Sequence, residues 1–322
     1  MRPTRLLLLA LVAALAAPAV TGQDYPARPV RIVVPYAPGG INDLAARILG
    51  GKLAEFWNQS VLVENRPGGN GVIGMDAAAK ARPDGYTLLM AAVGDYAITP
   101  QLYSKFPLNP LTDFSPILLV SDTAMMYAAH VNAPFSTLKE MIAYANAQPG
   151  GMAYGSAGAG SLSHLTAERF AFETQTKLRH VPYKGGGPAI AALASGEVLF
   201  ESLASSSALS NIKGGRAKAI AVQAPQRIPL GPDVPTVAEA GFPGFEASNW
   251  TALMAPAGTP RDIIVKINAD ANRALKTADV TERLAKAGSD PLGSTPEELG
   301  TKMRAESERY GKVIRDIKLK LD

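Results

Sequence analysis

Two glycine-rich turns carry the groups best suited to hold a small anion. The first, Pro35-Tyr36-Ala37-Pro38-Gly39-Gly40-Ile41-Asn42-Asp43, follows a short apolar run and precedes a stretch of helical period. Gly39 and Gly40 let the backbone turn with its amides exposed, and the helix beyond aims about half a positive charge at the same spot. A carboxylate fits such a place, and so does a plain strand-to-helix turn with Asn42 or Asp43 as N-cap. The second turn runs from Tyr154 to His164 and contains Ser156, Gly160 and Ser161. Its small residues leave room, while the serine hydroxyls and turn amides supply donors. One turn in each of two expected lobes points to a ligand held between the lobes. His164 with Ser156 or Ser161 opens an alternative, an exported serine hydrolase. Against it, the chain has no Gly-x-Ser-x-Gly elbow and no acid recognisably spaced to orient the histidine.

A third glycine cluster, Gly69-Asn70-Gly71-Val72-Ile73-Gly74, matches the dinucleotide-binding pattern, with Asp95 downstream. That pattern belongs tight against the end of its strand, whereas Glu64-Asn65-Arg66-Pro67 intervenes here and only a short helix follows. A loop packing over its sheet is the preferred reading, and a redox enzyme the lesser one. Metal chemistry has little to work with. The only histidines are His130, His164 and His180, there is no cysteine, and none of the three lies at a ligand-pair spacing. No basic cluster with interleaved aromatics suggests nucleic acid. Met125-Met126 reads as core, and Tyr36, Tyr96 and Tyr183 fall at strand ends, where a cleft would lie.

The elements that must position these turns form an α/β pattern. The chain has 322 residues, 47% of them hydrophobic and 19% charged, enough for a large core and too many for a single typical domain. Arg2 and Arg5 precede an apolar run from Leu6 to about Val20, with small residues at Ala17, Ala19 and Gly22. This predicts a secretory signal peptide over 1–22, the run being short of the roughly 20 apolar residues that span a bilayer. Its removal lowers the net charge from +4 to +2, and the absence of cysteine excludes a lipid anchor and any disulfide. Strands are predicted at Val30 to Val34, Val61 to Val63, Tyr86 to Ala92, Ile117 to Val120, Ala124 to Val131, Met152 to Tyr154, His180 to Tyr183, Ala217 to Val222 and Thr251 to Met254. Helices are predicted over Asp43 to Phe56, Gly74 to Ala81, Thr137 to Ala147, Ser163 to Thr174, Pro188 to Ser195, Arg261 to Ala287 and Pro296 to Ile317, the last two opened by Thr259-Pro260 and Thr295-Pro296. Crossings near 121–123 and 250 place residues 23–122 and 250–322 in one lobe and 123–249 in the other, each lobe a mixed, mostly parallel sheet flanked by helices.

With these motifs the chain resembles the Bug family, the periplasmic solute receptors associated with tripartite tricarboxylate transporters. Beside the two turns, the resemblance rests on Asp24-Tyr25-Pro26, Val63 to Gly68, Pro83 to Leu89, His180 to Gly185, Val234 to Gly241 and Ala255 to Pro260. It implies a Venus-flytrap fold, a carboxylate ligand, no catalysis and no cofactor. The partner would be a permease or a sensor kinase, and the receptor itself a periplasmic monomer. Carried over by position, the two turns become the jaws. Val93, Gly94 and Tyr96 would line the first lobe's side, and Tyr183, Lys184 and Glu201 would lie near the second lobe's. Two residues depart from the family pattern. Ile41 stands where Ser or Thr is usual, and Glu201 where Asp is common. Both favour an aromatic or longer aliphatic carboxylate over a plain polar dicarboxylate.

Overall fold

The computed structural model describes residues 25–229 and 231–321; the stretch read as a signal peptide, 1–22, lies outside the described residues. Strands β1 (Val30–Val34), β2 (Val61–Asn65), β3 (Thr87–Ala92), β4 (Phe114–Asp122), β10 (Thr251–Pro256) and β11 (Asp290–Pro291) form one sheet, ordered β11-β4-β10-β3-β1-β2. Strands β5 (Met125–His130), β6 (Met152–Ser156), β7 (Leu178–Pro182), β8 (Phe200–Ala204) and β9 (Ala217–Val222) form the other, ordered β7-β6-β8-β5-β9. The helices between them are α1 (Ile41–Trp57), α2 (Val72–Ala79), α3 (Thr99–Leu102), α4 (Leu138–Ala147), α5 (Leu162–Thr174), α6 (Gly186–Ser195), α7 (Ser205–Lys213), α8 (Arg261–Leu275), α9 (Ala278–Lys286) and α10 (Pro296–Ile317). The chain passes from the first sheet to the second between Asp122 and Met125 and returns between Val222 and Thr251.

Alternation along β1 shows how sequence sets the layers. Val30, Ile32 and Val34 pack with Leu49 and Leu53 of α1 and Ile267 of α8, whereas Val33 joins Leu89, Tyr96 and Trp250 on the opposite face. Both faces are covered, so β3 and β10 are buried at every position. In the second sheet Tyr127 and Phe200 face one helical layer, and Met126 and Leu203 face the other.

Both sheets are mixed, as expected. Antiparallel pairing is more extensive than repeated βα units alone suggest. β1 pairs in parallel with β2 and β3, and β6 with β7 and β8, but β10 runs antiparallel to β3 and β4, as β5 does to β8 and β9. The crossing strands β4, β5 and β10 cause this, because a chain that leaves a lobe and returns enters its sheet in the reverse sense.

The helix termini follow local chemistry. Thr295 caps α10 through Glu298 N–H, with the Glu298 side chain returning to Thr295 N–H and Pro296 in the first turn. Thr137 does the same for α4 and therefore lies outside the helix it was expected to begin. Thr259 does not cap α8; its hydroxyl donates to Pro256 O, and Pro260 occupies the cap position. The single helix expected over Arg261 to Ala287 is two, α8 and α9, because Thr277 adopts an extended conformation between them. Strand β8 and helix α7 were not expected, although α7 proves central to the site.

Candidate functional site

The C-terminal ends of the parallel strands of both sheets face each other, and four helices begin there. Helix α1 starts after Gly40, α6 after Gly185 and α7 after Ala204; none of these three cap residues supplies a side-chain hydrogen bond to the first turn. The fourth, α5, is capped by its own Ser161, whose Oγ accepts from His164 N–H. A helix start without a side-chain cap presents free N–H groups and the positive end of its dipole.

These starts surround a cavity of about 670 Å³, its open mouth included. The first lobe contributes Tyr36, Gly40, Ile41, Asn42, Asp43, Ala92 and Gly94. The second contributes Ala157, Ser161, Leu162, Ser163, Gly186, Ser202, Leu203, Ala204 and Ser207, and Met125 and Asn249 come from the crossings. No lysine, arginine or histidine is among the described residues that line it. Asp43 is the one charged group there, and it is already engaged. Its carboxylate accepts from Gly39 N–H at 3.0 Å, from Asn65 Nδ2 at 2.9 Å and from Arg47, whose guanidinium forms an ion pair with it at 2.9 Å. Burial works to raise the Asp43 pKa, but the Arg47, Gly39 and Asn65 hydrogen bonds outweigh it and hold it below the usual carboxylate value. Asp43 therefore braces the first jaw. Ile41 is buried against the cavity, and with Met125, Leu162 and Leu203 it gives the space a mainly apolar wall.

The lobes touch around this cavity. Ala37 N–H donates to Lys184 O at 3.2 Å and Thr99 Oγ1 to Gly160 O at 3.1 Å. Glycines permit the closest approach, for a Cβ on Gly187 would stand 2.9 Å from Pro38 O in the opposite lobe. The conformation is a closed one.

The expected site residues divide into three groups. Tyr36, Gly40, Ile41, Asp43, Gly94 and Ser161 line the cavity. Tyr183 and Lys184 instead line an adjoining cavity of about 680 Å³, open solvent at its mouth included, which shares Tyr36, Ala157 and Ser161 with the first. Gly39, Val93, Tyr96, Ser156, Gly160, His164 and Glu201 line neither. Val93 and Tyr96 are core, with the Tyr96 ring tilted against Trp250, centroids 4.6 Å apart. Ser156 is fully buried and shapes the second jaw, its Oγ accepting from Gly158 N–H at 3.1 Å and lying 2.6 Å from His180 Nε2. His164 Nδ1 accepts from Gly160 N–H at 3.1 Å, and its ring stacks on His180 with centroids 3.9 Å apart. Burial lowers His164 to about 3 and His180 to about 4, the neighbouring ring also opposing charge on His164, so both are neutral. Glu201 lies under the jaw against Gly155, where a Cβ would meet its Oε1 at 1.9 Å. The lengthened acid is thus accommodated by a glycine and does not extend the cavity. Burial alone pushes its carboxyl up to about 8.

The hydrolase pairing fails on this geometry. Neither Ser156 nor Ser161 bonds the His164 ring; the Ser161 hydroxyl donates to Gly158 O at 2.6 Å and contacts Ser163 at 2.9 Å. The Gly69-to-Gly74 cluster is a short 3₁₀ turn leading into α2, beyond the end of β2, so no strand end supports a nucleotide there. Sequence reasoning took Asn42 only as a possible helix cap and passed over Ser202, Ser207 and Asn249. A signal for one of them was present, since Ser205-Ser206-Ser207 follows a semi-apolar run as helix-opening residues do.

Comparison with known proteins agrees with the geometry. Protein BugT of Bordetella pertussis is 37% identical over the full length of both chains. Among solved structures, periplasmic binding protein BugD is 32% identical with a TM-score of 0.87, covering 92% of this chain and 99% of its own. MatC from Rhodopseudomonas palustris with bound malate is 33% identical with a TM-score of 0.87, covering 90% of this chain and 100% of its own. An R. palustris protein with adipate is 31% identical with a TM-score of 0.89, covering 92% and 99%. Residues 45–319 match the model of the tripartite tricarboxylate transporter family receptor, and the chain belongs to that family of solute-binding receptors.

Proposed function

We propose that this receptor closes on one small carboxylate in the cavity between residues 23–122 with 250–322 and residues 123–249, after export to the periplasm through the 1–22 segment. It then delivers the ligand to a membrane permease or presents it to a sensor. The ligand carboxylate takes its hydrogen bonds from amides at the starts of α1, α6 and α7, with Asn42, Ser207 and Asn249 as side-chain partners, and the receptor performs no chemistry on it. One observation carries this reading: helix starts from both lobes, three of them without side-chain caps, converge on a cavity lined by no basic side chain among the described residues. An anion there is stabilised by oriented dipoles and needs no counter-ion. The apolar wall at Ile41, Met125, Leu162 and Leu203 favours an aromatic or longer aliphatic body on the ligand.

Useful affinity is within reach of such a site. Micromolar binding needs about 8 kcal/mol, and hydrogen bonds to a charged group net roughly 1.5 to 3 kcal/mol each. Four or five suffice after the cost of closing the lobes. Since both jaws contact the ligand only when the cleft is shut, its differential affinity drives closure. Calorimetry of the mature protein against a panel of mono- and dicarboxylates, with small-angle scattering before and after, tests the reading. Heat and compaction with one or more carboxylates are expected; neither across the whole panel would overturn it.

A further inference from the structure

Thr251 lies beneath the wall of the first cavity and touches one residue of it. It opens β10, fully buried where the chain returns from the second lobe, and pairs across the sheet with Ala92 of β3 and Ser121 of β4. Its hydroxyl stands 2.8 Å from Oδ1 of Asn42, which is the second residue of α1 and lines the cavity. An asparagine and a threonine can bond in either of two senses, because each side chain both gives and accepts. Burial decides between them here. Among the described residues the Thr251 hydroxyl has no other hydrogen-bond partner, and the neighbouring Ser121 hydroxyl has none at all. Were Thr251 to accept from Asn42, its own proton would be buried with nowhere to go, whereas donating leaves only lone pairs. Thr251 therefore donates, and Asn42 Oδ1 is taken.

The consequence falls on the other half of the amide. With Oδ1 held, Asn42 has only Nδ2 to offer a guest, and that group makes no hydrogen bond among the described residues. It stands in the first turn of α1, a helix without a side-chain cap, so it adds donors where the backbone already favours negative charge. Turned over, the same amide would present its carbonyl and repel a carboxylate. We infer that Thr251 is a positioning residue for acid recognition: by holding Asn42 Oδ1 it makes that side chain a donor only, which suits a carboxylate and disfavours a carboxamide of the same shape. The carboxamide brings an NH₂ group of its own, for which a donor-only Asn42 has no acceptor. The inference rests on the proposed carboxylate site and adds to it one source of selectivity. Both residues belong to the first lobe, and β10 is buried at every position, so the amide is set before a ligand arrives and stays set when the cleft opens.

The test is calorimetry of the mature protein with three acid–amide pairs: benzoate and benzamide, hexanoate and hexanamide, adipate and adipamide. The native protein is expected to prefer each acid that it binds over the matching amide. Thr251→Val keeps the branched shape that suits a strand and removes the hydroxyl, which frees the Asn42 amide to turn. It should weaken acid binding about fivefold to fiftyfold and change amide binding by less than about twofold. Thr251→Ser restores the hydroxyl and should restore the preference. Asn42→Asp keeps an acceptor for Thr251 but replaces Nδ2 with a second oxygen, and it should abolish acid binding; an acid in the first turn suits the helix, so the fold tolerates it. Equal weakening of acid and amide in Thr251→Val, a preference that survives Thr251→Val, a preference that Thr251→Ser does not restore, or acid binding that survives Asn42→Asp overturns the role of Thr251 and leaves the carboxylate site standing. Failure of all three acids to bind the native protein overturns the site and this inference with it.

Discussion

Gly187→Ala separates closure from folding. Gly187 is the second residue of α6, and its added Cβ would lie 2.9 Å from Pro38 O, 3.7 Å from Gly39 C and 3.8 Å from Gly40 N, all in the backbone of the opposite lobe. A backbone carbonyl cannot rotate aside as the end of a long side chain can, so the jaws must stop short by several tenths of an ångström. Overpacking of this kind costs on the order of 1 to 3 kcal/mol. The cost falls on the closed form alone, because in an open cleft the methyl meets only solvent. Gly187 is not in the left-handed region, and alanine favours helix over glycine by up to about 1 kcal/mol, so the second lobe should be no less stable. The expected result is a carboxylate affinity weakened about fivefold to a hundredfold, a reduced ligand-induced compaction in small-angle scattering, and an unchanged or raised melting temperature. Unaltered affinity and compaction would refute the claim that the ligand is held by this closed contact. A lowered melting temperature would refute the assignment of the strain to closure.

Other expected outcomes concern the jaws and the groups beneath them. Glu201→Gln should flatten the pH dependence of stability. With its carboxyl raised by burial from 4.5 to about 8, native Glu201 stabilises the fold when protonated at low pH, and that contribution is lost as pH rises from 4.5 to 8. The loss is on the order of 3 to 5 kcal/mol at about 1.4 kcal/mol per pH unit. Denaturant midpoints of the two proteins should therefore diverge above pH 5 in favour of the variant, and parallel curves would reject the assignment. Ser156→Ala should lower stability by about 1 to 2 kcal/mol in chemical denaturation, through the Gly158 amide it leaves unpaired; an unchanged midpoint would show that the hydroxyl does not hold the turn. Ser207→Ala, by contrast, should weaken carboxylate binding by about 0.5 to 1.5 kcal/mol in calorimetry with little change in melting, and equal affinity would remove Ser207 from the contacts.

How much of this could be read from the sequence depended on what each residue had to announce. The first jaw was legible because Gly39 and Gly40 break an apolar strand and an amphipathic helix at one point, and the structure puts Gly40 and Ile41 at the cavity wall. Spacing alone could not tell a residue that faces the cavity from one that builds its wall. Ser156 and His164 lie in the right turn, yet their polar atoms point into it and satisfy its own amides. Tyr96 ends up in the core because the chain after β3 winds into a wide helical turn, Gly94–Ile98, that carries the ring inward. The segment of β8 and α7 was missed for a related reason. Glu201 and Ser202 interrupt its apolar run, and both are fully buried by arrangements no local pattern reveals: Ser202 is held by Thr166 at 2.9 Å and Gln223 at 2.7 Å, and Glu201 fits over Gly155.

The placement of β10 in the middle of its sheet, between β3 and β4, governs the order in which the molecule can assemble. Strands β1, β2 and β3 cannot meet β4 until residues 251–256 have been supplied, whereas β5 to β9 come from one uninterrupted stretch. The middle of the sequence can thus mature before the two stretches that flank it, and the first lobe stays unfinished until residues 251–256 have joined it. Pulsed hydrogen exchange during refolding should find the amides of β5 and β8 protected ahead of those in β3; the reverse order would show that β1, β2 and β3 hold together without β10.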